Sequence, residues 1–276
     1  MPTPVDTATA SPPSTLLALA EGWRALVEAS TLIPTLPILD RLPRGDGHPV
    51  YVLPGFMADS QSTGMLRRWL DRLGYNTIPW GFGRNLGPRG NLQARLTQTV
   101  ANIARHYDQP VSLIGQSLGG VFAREIAKTL PNQVRQIITL GSPFGQTVSN
   151  GTYPAVLRLF ELATGQTIDS LRSQLKDLPT PAPVPCTAIF SKTDGIAHWK
   201  TCIERDTPMT DNVEVVASHC GMGFNPAIYY VIADRLAQPH GRWRKFDRSS
   251  WRGLLYPQAV YAAAPSADAA ATEAPA

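Results

Sequence analysis

Gly115-Gln116-Ser117-Leu118-Gly119-Gly120 sets a serine hydroxyl between two glycines, one two residues before it and one two residues after. The motif follows the apolar run Val111-Ser112-Leu113-Ile114 and opens the helical pattern Val121-Phe122-Ala123-Arg124-Glu125-Ile126-Ala127. Strand, sharp turn with serine at its apex, then helix is the context of a nucleophile elbow. The turn must hold Ser117 in a strained backbone conformation that pushes Oγ clear of the sheet, so small residues are wanted where Gly115 and Gly119 stand. A hydroxyl is a poor nucleophile until a base takes its proton, and the base needs an orienting carboxylate.

Two later segments can supply both groups. His219 lies in Ala217-Ser218-His219-Cys220-Gly221, directly after an expected strand at Val213–Val216. Asp194 lies in Ser191-Lys192-Thr193-Asp194-Gly195, directly after an expected strand at Cys186–Phe190. Both positions fall at the carboxyl edge of a sheet, level with Ser117. Glu204, Asp206 and Asp211 are rival acids, but none leaves a strand end so directly. His198 sits close to the expected acid, and His240 lies in a charged stretch past the last helix. The tetrahedral intermediate of acyl transfer needs two backbone N–H donors. Leu118, at the amino end of the elbow helix, is one. The other is expected from Pro54-Gly55-Phe56-Met57, at Phe56, with Met57 as the alternative.

The elements that must carry these residues follow from periodicity. Residues 1–14 are mainly Pro, Thr, Ala and Ser, with little to bury, and predict disorder. Leu16, Leu19, Trp23, Leu26 and Val27 predict an amphipathic helix over 15–29, ended by Pro34 and Pro37. Its apolar side either packs on the domain body or touches a lipid surface beside the site. From residue 49 strands and helices alternate. Strands are expected at Val50–Leu53, Tyr75–Pro79, Val111–Ile114, Val134–Leu140, Cys186–Phe190 and Val213–Val216. Helices are expected over 62–73, 92–107, the elbow helix and 227–237. Right-handed crossovers then give an α/β fold with a mostly parallel sheet covered on both faces. Residues 144–183 break this rhythm with helical patterns at Val156–Leu162 and Ile168–Leu178 and then four spaced prolines, which suits a small helical cap over the site. Residues 262–276 predict a disordered tail. One domain over 15–261 remains.

Composition limits the function classes. The 276 residues are 43% hydrophobic and 17% charged, enough apolar content for a substantial core. The net charge of +4 is scattered, without the basic cluster that nucleic-acid binding needs. No apolar run reaches the roughly 18 residues of a membrane span. The N-terminal segment lacks the order of a signal peptide, which predicts a cytoplasmic protein. Cys186, Cys202 and Cys220 are too few for a disulfide framework and lack zinc-site spacing. Either all three are free thiols, or Cys202 and Cys220 bridge the acid and base loops. Gly81-Phe82-Gly83-Arg84-Asn85-Leu86-Gly87 has its last interval one residue too long for a dinucleotide loop, so no cofactor and no metal are expected.

Taken together, Leu53-Pro54-Gly55-Phe56, Gly115–Gly120, Ser191–Gly195 and Ser218-His219-Cys220-Gly221 resemble an α/β-hydrolase of the lipase and carboxylesterase kind over residues 49–237. Lipases of this group often have His-Gly at the oxyanion loop and His before the serine, where this chain has Pro54-Gly55 and Gln116. The resemblance implies a Ser117-His219-Asp194 triad that cleaves a carboxylic ester through an acyl-serine. Acyl transfer or thioester hydrolysis by the same triad is the second reading. A catalytically silent lipid-binding protein is the third. Met57, Phe82 and Phe144, with Gln116, are expected to wall a pocket for a small apolar ester or lipid.

Overall fold

The computed structural model describes residues 10–145, 148–167 and 177–257. The expected disorder of residues 1–9, most of the second cap helix and the tail over 262–276 lie outside the described residues. Six short strands, β1 (Pro49–Leu53), β2 (Asn76–Ile78), β3 (Val111–Gln116), β4 (Val134–Leu140), β5 (Cys186–Phe190) and β6 (Thr210–Glu214), form one sheet in the order β2-β1-β3-β4-β5-β6. Every pairing is parallel. β1, β4 and β5 are buried at every residue, as a sheet covered on both faces requires; they are mainly apolar, with Arg135, Gln136, Thr139 and Thr187 as buried polar exceptions.

Helices α1 (Thr15–Leu39), α2 (Gly64–Leu73) and α7 (Pro226–Leu236) bury Leu32, Trp69, Leu70, Tyr229 and Ile232 against Val50, Val52, Ile114 and Ile138 on one face. Helices α3 (Leu92–Tyr107) and α4 (Leu118–Thr129) bury Leu96, Val100, Phe122 and Ile126 against Tyr51, Leu53, Leu113 and Ile137 on the other. Short helices α5 (Val148–Gly151) and α6 (Pro154–Thr164) interrupt the alternation after β4, and α8 (Arg252–Leu255) follows α7. The register aligns Leu53 with Gly115, Gln116 with Leu140, Leu140 with Ile189 and Ile189 with Val213. The loops after β1, β3, β5 and β6 therefore leave along a single rim.

Three expectations about the elements are corrected. β6 begins three residues before the Val213–Val216 run. Its backbone pairs with β5 through Thr210, Asp211 and Asn212, which an edge strand tolerates because their side chains find partners beside it. α1 does not stop before Pro34: it runs to Leu39 with Pro34 and Pro37 inside it. Isolated prolines break helices, but Leu32 and Leu39 are buried in the core and hold the last turns in place. Of the two alternatives for α1, packing of its apolar stripe on the domain body is not what the structure shows. Leu16, Leu19, Trp23 and Leu26 are 81%, 77%, 70% and 66% exposed, while Glu21 is buried.

Candidate active site

Ser117 occupies the turn between β3 and α4 with φ 51° and ψ −123°, a left-handed conformation that a side-chain-bearing residue rarely holds. Such strain costs on the order of 1–3 kcal/mol and persists only where the surroundings over-determine it. Here Ser117 N–H donates to Leu140 O at 2.8 Å, and its carbonyl accepts from Gly120 N–H at 3.0 Å. The flanking glycines are required by contact. A Cβ on Gly115 would lie 2.4 Å from the backbone of Gly119 and Gly120, and one on Gly119 would lie 2.3 Å from Leu53 O.

Across the rim, His219 Nδ1 lies 2.7 Å from Asp194 Oδ2. Asp194 is itself held, since its Oδ1 accepts from the N–H groups of Ile196 and Ala197, both at 2.8 Å. Both side chains are buried. Burial alone would push the imidazole pKa down. The Asp194 carboxylate, through its charge and its hydrogen bond, and then the Glu21 carboxylate, outweigh burial and leave His219 above its ordinary value. The rival acids are engaged elsewhere. Glu204 is paired with Arg124 in the core, Asp206 with Lys245 at the surface, and Asp211 with Arg248.

The chain crosses from β1 to the edge at β2 and returns to β3 on the other side of β1, so a crevice opens between the carboxyl ends of β1 and β3. Both expected oxyanion loops end there. Among the described residues, the N–H groups of Phe56 and Leu118 donate to no other part of the chain. Met57, the alternative donor, is excluded: its N–H donates to Asn85 O at 2.8 Å. Asn85 is buried and ties this loop down, donating from Nδ2 to Pro54 O at 2.9 Å and from N–H to Ala58 O at 2.7 Å. A cavity of about 330 Å³ opens over this crevice, and Ser117, His219, Phe56, Met57 and Gln116 all line it. Val156 and Leu159 of α6 and Ile196 and Phe224 close its apolar walls. No hydrogen bond joins Ser117 Oγ to the imidazole among the described residues. Contacts of this kind often tighten only when substrate is bound.

No protein-family model matches the sequence, and no curated protein matches it. Solved structures do. The crystal structure of Aspergillus fumigatus lipase B is similar to this chain with a TM-score of 0.56 and 16% identity, over 72% of this chain and 55% of that one. The chain thus spans little more than half the length of that lipase. Paleococcus ferrophilus monoacylglycerol lipase matches with a TM-score of 0.53 and 16% identity, over 71% of this chain and 96% of that one. This is the α/β-hydrolase fold.

Within the α/β-hydrolase fold, two of the four expected wall residues, Phe82 and Phe144, take other places. Phe82 packs against Trp80 with ring centroids 5.3 Å apart, beneath the Arg95 guanidinium, and is not among the residues lining the cavity. Phe144 is buried with Val121 and Leu178, and the Arg124 guanidinium lies 3.9 Å from its ring centre. It too stays off the cavity. Gln116 reaches the cavity, but its Nε2 donates to His219 O at 3.0 Å, so it also holds the base loop. The Cys202–Cys220 bridge is absent: both are free thiols, Cys202 buried and Cys220 exposed on the cavity wall. Among the described residues no cluster could hold a metal ion, and no helix is long and apolar enough to cross a membrane. Asn85 and the charged residues of α1 contact the loops of this candidate site, and sequence reasoning missed them. Asn85 gave no signal beyond its glycine-rich loop. The α1 charges could have been found by asking which helical face holds Glu21, Arg24 and Glu28 at spacings of three and four.

Proposed function

We propose that this chain hydrolyses carboxylic esters with apolar acyl groups, with Ser117 as nucleophile, His219 as base and Asp194 as the orienting acid. The observation that carries the reading is the pairing of a strained Ser117 with a buried His219–Asp194 couple on one apolar cavity. Ser117 Oγ attacks the ester carbonyl carbon while His219 Nε2 takes its proton, and Asp194 stabilises the imidazolium through Nδ1–H. The N–H groups of Phe56 and Leu118 receive the oxyanion. Collapse breaks the carbon–oxygen bond to the alcohol, which leaves with the proton from His219. Water then attacks the acyl-serine by the same route and releases the acid.

The similarity to two lipases favours an ester of lipid type. The exposed, uncharged stripe Leu16, Leu19, Trp23 and Leu26 of α1 supports a peripheral contact with the lipid surface from which such a substrate would come. Leu159, which lines the cavity, is itself 44% exposed and extends the apolar surface outward. The test is hydrolysis of p-nitrophenyl esters of rising acyl length, with Ser117→Ala as control. Turnover that rises from acetate to longer chains and vanishes in S117A is expected. Equal turnover in S117A would end the reading.

A further inference from the structure

The inward face of α1 is charged where the helix passes the site. Glu21, 4% exposed, accepts three backbone hydrogen bonds. Its Oε1 takes Gly195 N–H at 2.8 Å and His219 N–H at 3.1 Å, and its Oε2 takes Cys220 N–H at 2.9 Å. One carboxylate thus joins the residue after Asp194 to His219 itself. One turn on, Arg24 donates to Thr193 O and, at 2.8 Å, to Thr193 Oγ1. A further turn on, Glu28 accepts from Ser218 N–H at 2.6 Å and Asn225 Nδ2 at 3.0 Å. The approach is close enough that a Cβ on Gly195 would lie 2.5 Å from Leu17 O. A helix remote in sequence therefore grips both loops.

The geometry points to Glu21 as a positioning residue for the proposed hydrolysis: its carboxylate fixes the acid loop against the base loop and sets a second negative charge at the His219 backbone. This rests on the ester-hydrolase reading above. The structural alternative, a carboxylate that only satisfies buried N–H groups, would be met equally well by the neutral isostere at its two Oε1 bonds. What the isostere cannot supply is charge. The ionisable groups around His219 are Asp194 from the loop after β5, Glu21 from α1 and the Cys220 thiol beside it, and the neutral Ser117 hydroxyl shares its cavity. Arg24 and Glu28 stand one step back, with Arg24 Nη1 3.7 Å from Glu21 Oε1, and His198 lies beyond Asp194. Glu21 favours the imidazolium and binds His219 N–H, whereas Glu28 binds Ser218 N–H and Asn225 Nδ2, one residue further from the ring.

The discriminating variants are Glu21→Gln and Glu28→Gln in the full chain. Imidazole titration of His219, followed by NMR without substrate, is expected to move to lower pH by on the order of one unit in E21Q and to stay in place in E28Q. In activity assays the acid limb of kcat/KM should move with it. We expect kcat to fall about tenfold or more in E21Q, with KM little changed, because the charge acts on the imidazolium of the transition state. A folded E21Q with wild-type titration overturns the proposal, as does an equal shift in E28Q. If E21Q does not fold, Glu21→Asp decides. The charge is kept but the reach to both loops is shortened, so the titration should hold while kcat falls, and wild-type kcat would overturn the assignment. A wild-type chain without esterase activity would end the functional reading alone, since the titration needs no turnover.

Discussion

Replacing Asp194 with Asn changes one atom of the site and little of its shape. Asn Oδ1 can still accept from Ile196 and Ala197 N–H, as Asp194 Oδ1 does at 2.8 Å. The amide NH2 then falls where Oδ2 stood, 2.7 Å from His219 Nδ1. Two donors cannot face each other, so the ring keeps its proton on Nε2 and offers Nδ1 as acceptor. In that tautomer it cannot take the Ser117 proton. The comparable loss of a triad aspartate costs up to about 10⁴ in kcat. Four decades at about 1.36 kcal/mol each is about 5.4 kcal/mol of transition-state stabilisation. Stopped or initial-rate hydrolysis of a p-nitrophenyl ester measures it, with circular dichroism to verify folding. Stability should change in a defined pH window. The His219 pKa is raised in the folded state, so the pair's contribution is fully present below the unfolded value of about 6.5 and is lost as pH rises through the folded value. The gap in Tm between wild type and D194N should therefore be widest below pH 6.5 and narrow above it. A loss of kcat under tenfold would refute the reasoning, because Glu204, Asp206 and Asp211 are bound elsewhere and cannot substitute.

Glu204→Gln should be costly although it lies off the cavity. Arg124 and Glu204 are both fully buried, and breaking such a pair costs about 3–5 kcal/mol, a fall in Tm of roughly 6–20 °C. A fall under 2 °C in a thermal melt would show that the guanidinium is held by Phe144 and the Leu178 and Thr180 carbonyls alone. The double change Leu19→Ser with Trp23→Ser should leave Tm nearly unmoved, since both side chains are largely exposed. Vesicle co-sedimentation should drop at least about tenfold, because each apolar side chain buried in lipid is worth about 1.5–3 kcal/mol. Unchanged sedimentation would remove the lipid-surface contact from the proposal.

The alternation of short apolar runs with periodic segments was enough to predict the parallel sheet, because a strand buried on both faces is mainly apolar and does not alternate, even where β4 admits Arg135, Gln136 and Thr139. The elbow was legible for a related reason: Gly115 and Gly119 stand where a side chain would strike backbone. Asp194 and His219 were found by position, each following a strand, and local geometry alone could place them at the rim. Phe82 and Phe144 were misplaced because hydrophobicity does not say which side of a loop a ring faces. Arg124 needed a stacking partner in the core, and Phe144 is there. Met57 failed as a donor because its N–H is taken by Asn85, and no pattern joins those two residues. The largest reversal is α1. An apolar stripe normally marks the buried face, yet here the stripe is exposed and Glu21, Arg24 and Glu28 turn inward. The chain order thus determined which residues carry reactive groups and which strand ends present them. Only the tertiary structure decided what holds those groups in place, because backbone N–H donors left over at loops far along the chain, invisible to any side-chain pattern, selected the charged face of the first helix.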